Sequence, residues 1–355
     1  MFQITTLDGG SSYSKPIGLL ASMLRFEGRK SKLTYLFIIC IFIYVILREF
    51  ITLSFLTNNK LEICHQCINL ISLSTLLFWF LRLRSKRGQY IELIGIFENQ
   101  TRYNLDNSQV YNHFTSLRKI FWFCFVSVVF FSEFANIYAA IMTIRKLSDY
   151  VQLGQKLLLC LIDVLGISCF QLKHQFLVES CLHIHACWLT VNEHVRSLNN
   201  IESRLLNIYK VREVRSMYSI AAVITEQMDS FIRIPLFNFF SYFIFSSFNI
   251  IAQVWSMPTL FGFIQISLRL MNLIFITYNT LYVHYLSNKC FDDVYSLSYK
   301  VRSIPLNNEV QIFLDRISQS DIGFSFLKIA LITPTFVTSW TSTTLTFVLS
   351  LPSLL

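Results

Sequence analysis

Charge is the first thing this sequence has little of. Only 14% of its 355 residues are Asp, Glu, Lys or Arg, against about a quarter in soluble domains. Mean hydropathy is +0.51 and 54% of residues are apolar, too many for an ordinary soluble domain to cover. Glycine and proline are scarce as well, at 10 and 6. No stretch forms a Gly-rich phosphate loop, a His-Glu-x-x-His helix or a nucleophile elbow, so no motif of enzyme chemistry is present and neither enzyme activity nor a cofactor is expected. The opening MFQITTLDGGSSYSK lacks both the basic start and the apolar core of a cleavable signal. These absences leave a polytopic membrane chain. Its formal charge of +9 does not indicate nucleic acid, because the basic residues lie in the connections between apolar runs.

Cysteine is present in an odd number, nine, and Cys40, Cys124, Cys160 and Cys169 sit inside apolar runs as small buried residues do. Cys64-x-x-Cys67 has no second pair, which makes it a weak metal or redox signal. Cys181-x-His183-x-His185-x-Cys187 has metal-ligand residue types. Positions two apart on a helix point roughly 200° apart, however, and cannot close one site, so no metal is expected.

A membrane helix needs roughly 20 apolar residues. Six runs qualify: 33–55, 63–81, 120–144, 151–172, 234–255 and 260–283, the fourth interrupted by Lys156 and Asp163. A C-terminal run, 324–351, makes seven, and Pro334 divides it. Twenty-three Lys and Arg fall in the N-terminal segment and the second, fourth and sixth connections, against three (Lys60, Arg145, Lys146) on the other side. The N-terminus is therefore cytosolic and the C-terminus extracellular. The one Asn-x-Ser/Thr sequon, Asn99-Gln100-Thr101, falls on the cytosolic side and is expected to stay unglycosylated. Between Gln171 and Arg233 there is no Pro or Gly, and Leu177, Cys181, Ile184 and Trp188 recur at helical spacing. That stretch predicts one continuous helix reaching into the cytosol. With no internal repeat or linker, the chain reads as a single all-α domain. Its parts are a cytosolic N-terminus (1–32), a six-helix bundle (33–283), a cytosolic anchor (284–333) and a last helix (334–355).

Two segments carry a resemblance. HQFLVESCLHIHACWLTVNEHVRSLNN is a long helix leading to an Asn, and DIGFSFLKIALITPTFVTSWTSTTLTFVLSL is a Gly-aromatic start followed by the last span. With the seven-span layout, these resemble the insect gustatory receptor family, relatives of the insect odorant receptors. The family's signature in the last span is Thr-Tyr, five apolar residues, then Gln-Phe. Here it reads Thr343-Thr344, LTFVL, Ser350-Leu351, so the Thr and the apolar five are kept and three positions differ. The resemblance implies a ligand-gated, non-selective cation channel of the plasma membrane of a chemosensory neuron. It would be a tetramer, homomeric or formed with other gustatory receptors, with the last helix around a central pore and a ligand pocket open to the outside. The expected ligand is a small-molecule tastant, bitter or otherwise non-volatile, since no sugar-receptor hallmark is present. A subunit needing a co-receptor to conduct is the alternative that the altered signature motivates. Beyond these, the expected partner is membrane lipid.

Residues Thr335, Ser339, Ser342, Thr346 and Ser350 fall within about 80° of arc and form one hydroxyl stripe. Leu349 and Leu351 stand near its outer end. Such a stripe packs helices together or wets a pore closed by an apolar ring, and the resemblance implies the pore. A lipid-anchor signal would need a polar spacer that is missing. Polar and aromatic residues in the outer parts of the other spans supply the candidate ligand contacts: Glu133, Asn136 and Tyr138, Gln152, Gln253 and Trp255, and Gln265 and Arg269. Pairing between helices, such as Glu133 with Arg269, is the competing account.

Overall fold

The computed structural model describes residues 19–25, 28–55, 60–101, 108–142, 149–256, 260–301, 303–318 and 321–349. Ten helices and a two-stranded hairpin occur among them. In order these are α1 (Leu19–Arg25), α2 (Arg29–Phe55), α3 (Lys60–Ser85), α4 (Arg87–Thr101), α5 (Ser108–Met142), α6 (Asp149–Asn200), α7 (Ile208–Ser256), α8 (Leu260–Ser298), α9 (Ile304–Ser318), β1 (Ser325–Phe326), β2 (Ala330–Leu331) and α10 (Pro334–Leu349). Seven of them, α2, α3, α5, α6, α7, α8 and α10, carry the seven apolar runs.

Helix α6 organises the rest. It has 52 residues, about 78 Å at the helical rise and far more than one hydrocarbon thickness. From Gln171 to Trp188 every side chain is buried, as in a helix surrounded by others. Helices α1, α2, α4, α5, α7 and α8 pack around it. On the lipid-facing side, by contrast, Leu33, Phe37, Leu47, Phe50 and Phe55 of α2 and Phe123 and Phe130 of α5 are exposed, the pattern of helices solvated by hydrocarbon.

The lower half of α6 is pinned to α8 at regular intervals. His185 Nε2 lies 2.9 Å from the Asn279 carbonyl, Asn192 Nδ2 donates to Leu286 O (3.0 Å), and Asn199 Nδ2 donates to Asp293 O (2.7 Å). His185 Nδ1 accepts from His113 Nε2 of α5 at 3.1 Å, so one proton sits on each bond of the relay. Burial pulls His185 down to about 3 and lowers His113, which keeps both rings neutral at ordinary pH. His183, two residues away, turns instead to Arg25 (3.1 Å) and the rings of Phe97 and Phe114. The two histidines of the Cys-His-His-Cys stretch thus bond to different partners.

Two expectations need correction. The helix predicted from 173 to 233 breaks at 201–207. No Pro or Gly is required, because Asn207 caps α7 by accepting from Tyr209 N (3.1 Å), and Lys300 Nζ bonds the Asn199 carbonyl at the end of α6. The C-terminal run, 324–351, is also not helical ahead of Pro334, where the last helix begins. Pro334 is its first residue, and Thr333 caps it by accepting from Phe336 N (3.2 Å). The preceding segment folds back as the β1–β2 hairpin, Ser325 facing Leu331 and Phe326 facing Ala330. Pro235 lies within α7 without ending it. The carbonyl it leaves without a helical donor, Phe231 O, accepts from the Trp79 indole of α3 at 2.8 Å.

Trp188 is fully buried, stacks edge-on against Tyr218 and donates to Thr225 Oγ1 (3.1 Å). Truncation to alanine (W188A) should cost about 3–5 kcal/mol. In the detergent-solubilised protein this would appear as a thermal midpoint lowered by several degrees, and an unchanged midpoint would deny the ring its packing role.

Candidate functional site

Six helices leave a cavity of about 420 Å³ between them above the packed lower half, a volume suited to a small ligand. Its lining follows helical spacing: Asp163, Gly166, Ile167, Phe170 and His174 on α6, and Gln265, Leu268, Arg269 and Asn272 on α8. Helix α2 adds Val45, Arg48 and Glu49, α3 adds Asn69 and Leu73, α5 adds Val128 and Phe131, and α7 adds Phe239, Tyr242 and Phe243. Gly166 allows α6 to approach α2 closely, since a Cβ there would lie 3.1 Å from Val45 Cγ2.

The charges of the cavity are unevenly satisfied. Arg48 hydrogen-bonds Asp163 of α6 and lies 3.5 Å from Glu49, so both carboxylates share one guanidinium. Arg269 stands on α8 near the Tyr242 phenol and makes no ion pair among the described residues. The floor is a polar plug. Asn238 of α7 donates to Ser72 O (3.0 Å), and Lys173 Nζ donates to Asn238 Oδ1 (2.7 Å) while lying 3.6 Å over the Phe170 ring. Beside it, the His174 ring packs edge-on to Phe239.

The wall of the cavity touches the last helix. Trp340 of α10 lies with its ring centroid 5.2 Å from Phe240 and 6.1 Å from Phe243, and Phe243 also lines the cavity. Phe336, one turn earlier, meets Phe240 (6.2 Å) and Phe326 of the hairpin (5.4 Å). Phe336, Trp340 and Thr344 thus form the packed stripe of α10. Thr335, Thr338, Ser339, Thr341, Ser342, Thr343, Leu345 and Thr346 are exposed. The Thr343 and Thr346 hydroxyls donate back to the Ser339 and Ser342 carbonyls, both at 2.9 Å, which turns their lone pairs outward.

The hairpin fixes the direction in which α10 leaves. Leu327 and Lys328 take positive φ (54° and 63°), uncommon for non-glycine residues. Asp229 of α7 holds this turn, accepting from Ser325 N and Ser325 Oγ (2.7 Å each) and from Arg233 (2.8 Å). His284 Nδ1 (3.1 Å) and Ser287 Oγ (3.2 Å) of α8 bond the Ile322 carbonyl just before it.

Of the ligand-binding residues read from sequence, Gln265 and Arg269 line the cavity. Glu133, Asn136 and Tyr138 lie in α5, Gln152 in α6, and Gln253 and Trp255 in α7, with side chains outside the described residues. Thr335, Ser339, Ser342 and Thr346 share the exposed face of α10. Leu349 ends that helix with its side chain outside the described residues, and Ser350 and Leu351 also lie outside them. The sequence reading treated Asp163 only as an interruption of its span and passed over Asn69, Phe170, His174, Tyr242 and Phe243. An ionisable residue inside an apolar run was the available signal for Asp163.

A seven-helix membrane fold with a cavity between six of its helices is the class that these elements define. The insect olfactory receptor OR5 from Machilis hrabei in complex with eugenol is similar to the chain with a TM-score of 0.67 and 9% identity, over 95% of this chain and 97% of that one. A second structure of OR5 gives 0.62 and 9%, over 92% and 90%. No protein-family model and no curated protein sequence matches the chain. The chain thus shares the all-α fold of the insect olfactory receptor OR5.

Replacing Asp229 with asparagine (D229N) keeps the shape but places a donor where Ser325 Oγ and Arg233 need an acceptor. Charge-assisted bonds of this kind contribute about 1.5–3 kcal/mol. The Ser325 amide should exchange at least about tenfold faster with deuterium. Unchanged protection would mean that the hairpin is held by other contacts.

Proposed function

We propose that the protein is a gustatory receptor, a ligand-gated, non-selective cation channel in the plasma membrane of a chemosensory neuron, and not an enzyme. The observation that carries this reading is the two-faced last helix. One aromatic stripe fastens α10 to its own subunit, while its hydroxyl face has no cover from the chain's described residues. Four copies of that face around an axis would enclose a path lined by hydroxyl oxygens. Acceptor oxygens without fixed charge suit cations and discriminate weakly among them. Ligand in the cavity would act by binding better to the arrangement in which the last helices have parted. The contact of Phe243 with Trp340 lies between the two sites. The fold similarity to OR5, whose complex holds eugenol, supports a small-molecule ligand. The alternative is a subunit that binds ligand but conducts only beside a co-receptor, which the changed signature at Thr344, Ser350 and Leu351 favours.

Expressed alone and exposed to a tastant panel, the protein should pass cation current. Silence alone with current beside a second receptor would establish the heteromeric alternative. In the conducting form, cysteines at Ser339, Ser342 and Thr346 should react with a water-soluble thiol reagent at least about tenfold faster than one at Thr344, which lies across the helix. Equal reactivity on both faces, or none at the three positions, would refute the pore assignment.

A further inference from the structure

The charge arrangement in the cavity bears on what enters it, and rests on the reading of that cavity as the ligand site. Two carboxylates and two guanidiniums line it, so its formal charge is balanced, but its pairing is not. Arg48 occupies Asp163 and Glu49 together. That leaves Arg269 of α8 without a carboxylate partner among the described residues, near the Tyr242 phenol. An arginine within a membrane helix and without a carboxylate partner is costly unless water or a ligand solvates it. Asn272 and Gln265 stand one turn to either side of it on α8, adding amide donors, and Phe170, Phe243 and Phe131 supply aromatic walls.

An apolar ligand that displaced the cavity water would strip Arg269 of its solvation and return nothing. A cationic ligand would meet Arg269 directly and find both carboxylates already engaged by Arg48. A ligand bearing an anionic oxygen pair would give the guanidinium its two parallel hydrogen bonds, and an aromatic body would fill the walls. We infer that the cavity selects small aromatic carboxylates, with Arg269 as the group that fixes the acid. Such a compound is ionised at neutral pH and does not evaporate, so it reaches the receptor dissolved, as a tastant does.

Phenylacetate, phenylacetamide and phenethylamine have similar bodies carrying a negative, a neutral and a positive head. Calorimetric titration of each into the full-length protein in lipid nanodiscs at neutral pH reads the selection directly. Phenylacetate should bind at least about tenfold tighter than phenylacetamide, and phenethylamine weakest. Arg269→Gln should bring the acid and the amide to within about twofold while leaving thermal unfolding and elution volume unchanged, and Arg269→Lys should retain part of the preference. Leu268→Trp, which fills the cavity, should weaken all three. Equal binding of acid and amide, preference for the amine, an acid preference that survives Arg269→Gln, or no binding of any probe would each overturn the inference. The channel reading would still stand if a neutral compound opened the channel and Leu268→Trp abolished that response.

Discussion

Three side chains seven residues apart on α6, His185, Asn192 and Asn199, reach carbonyls seven residues apart on α8, at 279, 286 and 293. A seven-residue polar repeat between two helices fixes their register as well as their contact. A slip of one turn would displace every donor from its acceptor by about 5.4 Å. A strict seven-residue period also makes the two helices wind gently about each other. The remainder of the molecule inherits this register. It sets His174 opposite Asn272 at the top of the packed zone, 3.5 Å apart. The cavity is what is left where the repeat has ended and the helices are held at fixed heights but no longer fill the space between them.

From the cavity to the last helix the connection is aromatic and short. Phe239 and Phe243 of α7 line the cavity, and Phe240 between them packs onto Phe336 and Trp340, which Phe243 also meets. One helix therefore presents adjoining faces to the cavity and to α10. A rotation or tilt of α7 that made room for a ligand would move Phe240 with it. The hairpin that precedes α10 is tied to the same helix, because Asp229 of α7 holds Ser325 at the base of the turn. With Leu327 and Lys328 in a conformation that costs roughly 1–2 kcal/mol per residue, this segment persists only while its anchors do.

The fold was legible in the sequence wherever periodicity and charge asymmetry act over long stretches. Six of the seven apolar runs lie on long helices and the seventh ends on α10, and the paucity of charge defined the solvent. Local chemistry was harder to read. Asn207 is a capping residue in a stretch without Pro or Gly, and the absence of those two residues argued for a continuous helix. At 324–333 an apolar composition resembled a span, although the positive-φ turn and the Asp229 acceptor that stabilise the hairpin are tertiary effects with no signature in that segment. In the cavity, Arg269 and Gln265 stood out as polar residues in an apolar run. Phe170, Tyr242 and Phe243 did not, because an aromatic in a membrane helix is unremarkable until its neighbours are known. The Arg48–Asp163 pair joins residues 115 apart, and only packing could reveal it.

The last helix combines both kinds of information. Its stripe of hydroxyls follows from 3.6-residue geometry alone, but a stripe of Ser and Thr serves packing as well as a pore. What separates the two accounts is the opposite stripe. If hydroxyls were the adhesive between α10 and its own bundle, they would face α7. Instead Phe336 and Trp340 occupy that contact, and the threonine hydroxyls spend their protons on their own helix. The exposed face is mostly hydroxyl, with Leu345 as its apolar residue, and Thr338, Thr343 and Thr346 on it turn lone pairs outward. Such a face suits water better than hydrocarbon, which is what the proposed pore would require of it.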